Sequence, residues 1–534
     1  MVTRQSKRLC LKNTLSRLIE ECKNMNELKR IHTQILKSPA LPSHDQFFLV
    51  TRLLFFCAFS NSGSFSYATN VFHLIKNPDL RVYNIMIRGF VCMEEFHDSH
   101  ICRALVLYKQ MLSDGIRPNC LTFPFLLKGC TRRLDDATGQ VIHAQVIKFG
   151  FFKDIFVGNF MINLYMACGL SNNARKLFDE MLLTDIVTWN SMIIGYLRNG
   201  ELDEALGLFR LVSRKNIITW NSMITGLVQG GRAKESLELF HEMQVLSDDL
   251  VKPDKITIAS VLSACAHLGA IDHGKWVHGY LRRSGLECDL VIGTALVNMY
   301  GKCGHVDQAF EIFKEMPEKD ASAWTAMISV FALNGLAEKA FDCFSEMEKA
   351  GVKPNHVTFV GLLSACAHSG LVDKGRWCFD MMKSIYSIEP QVYHYACMVD
   401  ILSRARLLEE AVSLIRRMPM EADVYVWGAL LRGCQMHENI ELGEKVACHL
   451  IHLEPLNHAF YMNLCDICAK AGKFHSAKRA RNLMKERGIR KETPGCSIIE
   501  VNGVVHEFSV GGSSGVPMEQ VVWVLNELNN EMKI

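Results

Sequence analysis

Apolar side chains recur along this chain at helical spacing. Trp189, Met192, Ile193 and Tyr196 fall at i, i+3, i+4 and i+7, which is one stripe of an amphipathic helix. The same stripe returns at Trp220, Met223, Ile224 and Leu227, at Trp324, Met327, Ile328 and Phe331, and at Tyr83, Met86, Ile87 and Phe90. A second helix is predicted after each first one. Its mark is a small residue with Met seven positions later: Ala104 to Met111, Ala174 to Met181, Ser236 to Met243, Ala309 to Met316, Ala340 to Met347 and Ala411 to Met418. The small residue lets a partner helix approach, and Phe178, Phe209, Phe240, Phe313 and Phe344 are expected to fill the seam. Asn199-Gly200, Gly230-Gly231 and Asn334-Gly335 supply the turns between helices.

A third variant carries other residues at the same places. Cys130, Cys265 and Cys366 are followed nine residues later by Gly139, Gly274 and Gly375, and thirteen residues later by His143, His278 and Phe379. Cys265 and Cys366 lie 101 residues apart, the sum of two units of about 35 and one of about 31, so three unit types alternate. Units are predicted to begin near Lys12, Phe47, Leu80, Cys120, Ile155, Ile186, Ile217, Lys255, Leu290, Ala321, His356, Val392, Val424 and His458. A helical hairpin of roughly 34 residues cannot bury its own apolar face, whereas stacked neighbours can. The predicted fold class is therefore all-α, a right-handed α-solenoid superhelix of helix-turn-helix repeats.

Composition changes the picture little. A chain of 534 residues would otherwise suggest three or four domains of roughly 150 residues; the repeat replaces that estimate. A hydrophobic fraction of 49% excludes a mostly disordered chain. Lys+Arg 59 against Asp+Glu 56 leaves a net charge of +3, too weak a field for polybasic binding. The 20 Cys are scattered through apolar runs, which fits a reducing compartment and small buried hydrophobes rather than a disulfide scaffold. Ile155 to Ala174 is uncharged and long enough to span a membrane, but its Asn residues and charged sister segments argue against that.

The two ends differ from the middle. Met1 to Ile19 holds Arg4, Lys7, Arg8, Lys12 and Arg17 and no acid, the pattern of an organelle transit peptide. Residues 1–11 are assigned to that basic segment; low Ser content favours mitochondrion over chloroplast. At the other end, Ser497 to Val510 alternates apolar and polar residues around Asn502-Gly503, which predicts a β-hairpin. Gly511 to Gly515 reads as a flexible link. Met518 to Met532 is predicted as a terminal helix with Val521, Val522, Leu525 and Leu528 on one face, suited to docking a partner or to capping the last unit.

The recurrent string Val187-Thr188-Trp189-Asn190-Ser191-Met192-Ile193, with Lys252-Pro253-Asp254 or Arg117-Pro118-Asn119 at unit ends, resembles the pentatricopeptide repeat family. The alternation of unit lengths is similar to its plant arrangement of P, L and S motifs. The resemblance spans Lys12 to Lys491, as an array over 12–423 and two repeat-like E motifs over 424–491. Thr493-Pro494-Gly495-Cys496-Ser497 and Val501 to Phe508 resemble the extension that follows such arrays in organelle RNA-editing factors, here truncated to 492–534. The resemblance implies a reader of single-stranded RNA, one base per unit, that selects a C for C-to-U editing while a deaminase-bearing partner acts in trans.

It also implies which residues read. Each unit's fifth residue works with its last, which makes the pairs Thr51/Asp79, Asn84/Asn119, Asn159/Asp185, Asn190/Asn216, Asn221/Asp254, Thr294/Asp320 and Thr325/Asn355. The implied ligand is G-C-n-U-C-U-n-G-A, 5′ to 3′. Pro124, Ala259 and Val360 occupy the fifth place of the Cys-type units and offer no side-chain hydrogen bond. The second place is expected to clamp the base with an apolar side chain: Phe156, Val187, Ile218 and Val291 fit, and Arg81 and Ser322 depart. Asn190, one residue beyond Trp189, lies about 100° around the helix, at the edge of the apolar stripe.

No chemistry in cis is expected. Relatives that deaminate carry H-x-E with P-C-x-x-C, three zinc ligands and a proton-shuttling Glu. That paired signature is not found here, and Cys465 and Cys468 read as core residues of a helix. Neither a Walker loop nor a Rossmann fingerprint is present. No metal, cofactor, membrane or small-molecule substrate is expected. Two other classes remain open at this point, a factor that binds RNA without directing editing and a tetratricopeptide-like protein scaffold.

Overall fold

A computed structural model of the chain describes residues 4–39, 41–92, 98–246, 251–489, 496–501 and 504–509. Fourteen successive helical hairpins fill this span. They are α1/α2 (Arg4–Glu20, Met25–Lys37), α3/α4 (Ser43–Phe59, Phe65–Leu74), α5/α6 (Leu80–Cys92, Asp98–Ser113) and α7/α8 (Thr122–Arg133, Asp136–Lys148). Next come α9/α10 (Ile155–Ala167, Ser171–Glu180), α11/α12 (Ile186–Arg198, Leu202–Leu211), α13/α14 (Ile217–Gln229, Ala233–Leu246) and α15/α16 (Lys255–Leu268, Ile271–Ser284). Then follow α17/α18 (Leu290–Lys302, Val306–Glu315), α19/α20 (Ala321–Leu333, Ala337–Lys349) and α21/α22 (His356–Ser369, Val372–Ser384). The last three are α23/α24 (Val392–Arg404, Leu408–Arg416), α25/α26 (Val424–Met436, Ile440–Leu453) and α27/α28 (His458–Lys470, Phe474–Glu486). The chain forms two compact units, Met1–Gly226 and Leu227–Ile534. Within each, the first helix of a hairpin packs on the first helix of the next, as α5 on α7 and α7 on α9, or α15 on α17 and α17 on α19. That is the solenoid arrangement.

Local chemistry starts and stops the helices. Asp154, Asp185, Asp254, Asp289, Asp320, Asn355 and Asp423 each cap a first helix, their side chains accepting the N–H two or three residues on. At Gly200 and Gly335 the backbone turns through φ of 79° and 71°, where a side chain would be strained. From Leu80 onward the first helices begin at the predicted residues with one exception. Asn119 Oδ1 accepts the N–H groups of Leu121 and Thr122, both at 3.1 Å, and holds a turn there, so α7 starts at Thr122 and not Cys120.

The N-terminal boundary needs correction. α1 starts at Arg4 and runs unbroken past residue 11, and α3 starts at Ser43 and not Phe47. Residues 4–11 are thus continuous with the first hairpin. Leu15 and Ile19 are buried, and a helix nucleated on such packing propagates cheaply through a Lys/Arg-rich turn. The uncharged run from Ile155 splits into α9 and α10, and among the described residues no helix is long and apolar enough to cross a membrane. Antiparallel β1 (Cys496–Val501) and β2 (Val504–Ser509) pair Val501 with Val504, the hairpin expected around 502–503. The link 511–515 and the expected terminal helix over 518–532 lie outside the described residues, as do 93–97 and 247–250.

Neighbouring hairpins are joined by aromatic contacts. Phe178, Phe209 and Phe313, all buried, meet Trp189, Trp220 and Trp324 of the following unit edge-on, with centroids 4.9, 5.0 and 4.9 Å apart. Trp189 is only half-buried, with its indole N–H donating to Thr184 Oγ1 at 3.2 Å; Trp220 and Trp324 are buried. The Cys-type units use a different joint. A Cβ on Gly139, Gly274 or Gly375 would sit 2.3, 2.4 or 2.8 Å from Leu164, Met299 or Ile401 of the next first helix, so glycine permits the close approach. His143 and His278 hydrogen-bond Tyr165 and Tyr300 of the next unit at 2.7 and 3.0 Å. Burial pushes both imidazoles below their ordinary pKa, which keeps them neutral. Phe379 replaces that hydrogen bond with a ring contact to Tyr395 at 5.1 Å.

Candidate nucleic-acid interface

The last residue of a unit is also the N-cap of the next first helix, which decides what it can offer a ligand. Asn216 Oδ1 accepts from the Thr219 N–H at 2.9 Å. Its amide Nδ2 is left as the presented group. Asp185 Oδ1 likewise accepts the Thr188 N–H and hydroxyl, both at 2.8 Å, leaving Oδ2 as an acceptor. Burial alone would raise the Asp185 carboxyl, but the hydrogen bonds from Thr188 and Asn159 hold it below the usual carboxylate range. Capping therefore turns Asn into a donor and Asp into an acceptor at the same place.

The fifth residues lie beside these caps. Asn84 Nδ2 donates to Asn119 Oδ1 at 3.1 Å, Asn190 Nδ2 to Asn216 Oδ1 at 3.3 Å, and Asn159 Nδ2 to Asp185 Oδ1 at 3.4 Å. Three of the predicted pairs are thus joined directly. Asn159 and Asn190 are buried, deeper than the stripe's edge. Asn159 Oδ1 is itself buried without a hydrogen-bond partner, an acceptor that an entering N–H would satisfy. Thr325 is not joined to Asn355: its hydroxyl bonds that of Thr358 at 2.8 Å, and Thr358 bonds Asn355 at 3.1 Å. Thr51 and Thr294 turn back to carbonyls of their own helices, Phe47 at 2.9 Å and Leu290 at 2.7 Å, while Asp79 and Asp320 cap Val82 and Ala323. Asn221 belongs to the first compact unit and Asp254 to the second, where Asp254 caps α15.

Sequence reasoning missed the residue that orders this row, the Thr three places after the cap. Thr122 Oγ1 donates to Asn84 Oδ1 at 2.8 Å and Thr219 Oγ1 to Asn190 Oδ1 at 2.7 Å. Each Thr thus pins the preceding unit's Asn with its amide toward the cap. Where Val82 or Ala323 stands instead, the Thr of the pair has no such tie. The signal was present as capping-box spacing, Asn119…Thr122, Asp185…Thr188, Asn216…Thr219 and Asn355…Thr358. Replacing Thr219 with Val is expected to orphan Asn190 Oδ1 and lower stability by about 1–3 kcal/mol. Urea unfolding of the variant measures it, and an unchanged midpoint would contradict the tie.

The apolar second places are left in water in both compact units. Phe156, Val187 and Ile218 in the first unit and Val291 in the second are 52–54% exposed. Leu121, Ile256 and Val357 of the Cys-type units are equally exposed, at 50–57%, and were not singled out from sequence. They share the apolar second-place identity that would have found them. Arg81 and Ser322 are exposed as well.

Half of the zinc signature does occur, without its partner motif. His452-Leu453-Glu454 is an H-x-E string, eleven residues before Cys465, with Leu464 where the zinc motif has Pro. His452 is exposed near the end of α26, and Glu454 accepts from Asn457 Nδ2 at 2.9 Å. Cys465 and Cys468 are buried within α27. Among the described residues no three His, Cys, Asp or Glu are grouped to hold a metal.

Tandem helical hairpins with a capped Asn/Thr row define a repeat protein, and the chain belongs to the pentatricopeptide repeat family. The PPR repeat family profile matches residues 215–267 and 319–368, the PPR repeat profile matches 159–183, 187–217, 294–320, 357–386 and 393–421, and the E motif profile matches 437–500. The chain is 44% identical to the Arabidopsis thaliana pentatricopeptide repeat-containing protein At5g66520, over 94% of this chain and 79% of that one. It is 40% identical to At2g20540 of the same plant, over 93% and 90%. Among solved structures it resembles the maize pentatricopeptide repeat protein PPR10, at 18% identity and TM-score 0.44, over 90% of this chain and 84% of that one.

Proposed function

We propose that this chain binds single-stranded RNA sequence-specifically, one nucleotide per unit, as the site-recognition factor for C-to-U editing in a plant organelle. The observation that carries this reading is the capped row: Asn84, Asn159 and Asn190 each held against the next unit's cap, with apolar side chains standing free beside it. G and U carry a ring N–H on the edge they present, which suits the Asp acceptors Asp79, Asp185, Asp254 and Asp320. A and C carry a ring nitrogen lone pair there, which suits the amide donors of Asn119, Asn216 and Asn355. The resemblance to the family's pairing of fifth and last residues implies the string G-C-n-U-C-U-n-G-A. Bases sandwiched by Phe156, Val187, Ile218 and Val291 would supply affinity at a net charge of only +3.

The E motif match at 437–500 supports the editing role, with the chain supplying the address and a deaminase-bearing partner recruited through the C-terminal extension, 492–534. Family membership removes the tetratricopeptide scaffold. A relative 35% identical is named as mitochondrial and one 40% identical as chloroplastic; the low Ser content of the basic start favours the mitochondrion. Binding of the full chain to the predicted strand should exceed binding to a scrambled strand by about tenfold or more. Equal affinity would refute the base assignment. If the strand is bound but organelle transcripts keep every C-to-U site in plants lacking the protein, the editing role fails and a binding-only role takes its place.

A further inference from the structure

Resting on that RNA-binding reading, we propose that the N-terminal part carries a second and sequence-tolerant RNA-holding surface, an aromatic cleft that stacks bases lying 5′ of the read string. The cleft has a volume of about 820 Å³. It runs along α3 and is lined by Phe48, Thr51, Phe55 and Phe59, with Arg81 and Ile85 of α5 opposite. Thr51 is the first reading position, so the cleft opens directly onto the start of the reading row.

Its aromatic character is peculiar to this hairpin. One helical turn beyond the fifth residue, later units carry Arg88, Asn163, Ile194, Asn298 and Ser329, whereas α3 carries Phe55. Phe55 is 49% exposed, and Phe59 follows it with ring centroids 4.9 Å apart. Two phenyl rings on one stripe, partly in water, are the stacking platform of sequence-tolerant single-strand binders.

Cations complete the platform. The Arg88 guanidinium lies 4.4 Å over Phe59 and 5.5 Å over Phe125, extending the stack with a second planar group. Lys12 and Arg52 lie 4.5 and 5.6 Å over Phe48. The acids at the cleft are already engaged: Glu20 pairs with Arg52 at 2.8 Å, and Asp79 caps Val82. Arg81 is exposed at the rim, where a phosphate would meet it. Its departure from an apolar clamp is then a change of task, from holding a base to holding the backbone. Aromatic faces edged by the Arg81 and Arg88 guanidiniums, continuous with Thr51 and Asp79, commit the cleft to the same RNA strand.

The test uses the full chain and the strand G-C-n-U-C-U-n-G-A with or without three added 5′ nucleotides. The addition should raise affinity about tenfold whatever the bases, and 2-aminopurine placed there should lose fluorescence on binding. Phe55→Ala should abolish the gain and Phe55→Trp keep it, both leaving affinity for the short strand unchanged. A gain that survives with abasic 5′ positions would mean phosphate contact alone and overturn the stacking. No gain, with the short strand still bound, overturns this inference and leaves the RNA-binding reading intact. Failure to bind either strand overturns both.

Discussion

Exchanging Asn190 for Thr and Asn216 for Asp together is expected to move the preferred fifth base of the read string from C to G, by about tenfold or more. The magnitude is that of one well-aligned base contact, roughly 1–3 kcal/mol. Asn216 Oδ1 caps Thr219, so only its amide faces outward. An Asp there keeps the capping oxygen and replaces the outward donor with an acceptor, matching the ring N–H of G in place of the ring nitrogen of C. The fold should be indifferent to the change, because Asp185 with Thr188 and Asp254 with Thr257 already form this capping box. Thr at 190 has a precedent too, in the bond of Thr325 to Thr358. Competition between strands differing only at that base measures the switch. A variant that folds normally and still prefers C would remove Asn190 and Asn216 from the reading row.

Hairpin positions were legible because a solenoid repeats its instructions. The stripe at Tyr83, Met86, Ile87 and Phe90 reports one helix, and its recurrence reports the stacking. Boundaries failed at the N-terminal end, where the repeat weakens, and at α7, where the Asn119 turn delays the helix to Thr122. α1 and α3 are 17 residues long, and their extra N-terminal turns lie before the stripe begins, where no periodic residue marks them. The site was legible as pairs but not as a network. Asn190 and Asn216 were reached through the family resemblance. That Thr219 orients Asn190 follows from a contact between units, which spacing within one unit does not contain. Nor does a single unit's pattern expose the cleft at Phe55, which exists only because α1, α3 and α5 border it together.

Truncating Phe209 to Ala is expected to produce the largest loss of stability, about 3–5 kcal/mol. Phe209 is 1% exposed, and its ring meets Trp220 edge-on at 5.0 Å. Lys215 Nζ lies 4.8 Å over the same ring, so the truncation removes a packed aromatic pair and a cation contact at once. In a stacked array the stability is a sum of unit and nearest-neighbour terms. The loss therefore falls on the joint between α12 and α13 rather than on the whole chain, and unfolding on either side of that joint should separate. Urea denaturation followed by circular dichroism should show an added low-urea transition in Phe209→Ala, and a smaller one in Phe209→Leu, which keeps more of the apolar volume. A single transition with an unchanged midpoint would mean that the Phe/Trp seam does not couple neighbouring hairpins. Because Asn190 and Thr219 are bonded across the same joint, loosening it should also weaken the preference for C at the fifth base while leaving the first two bases of the string read as before.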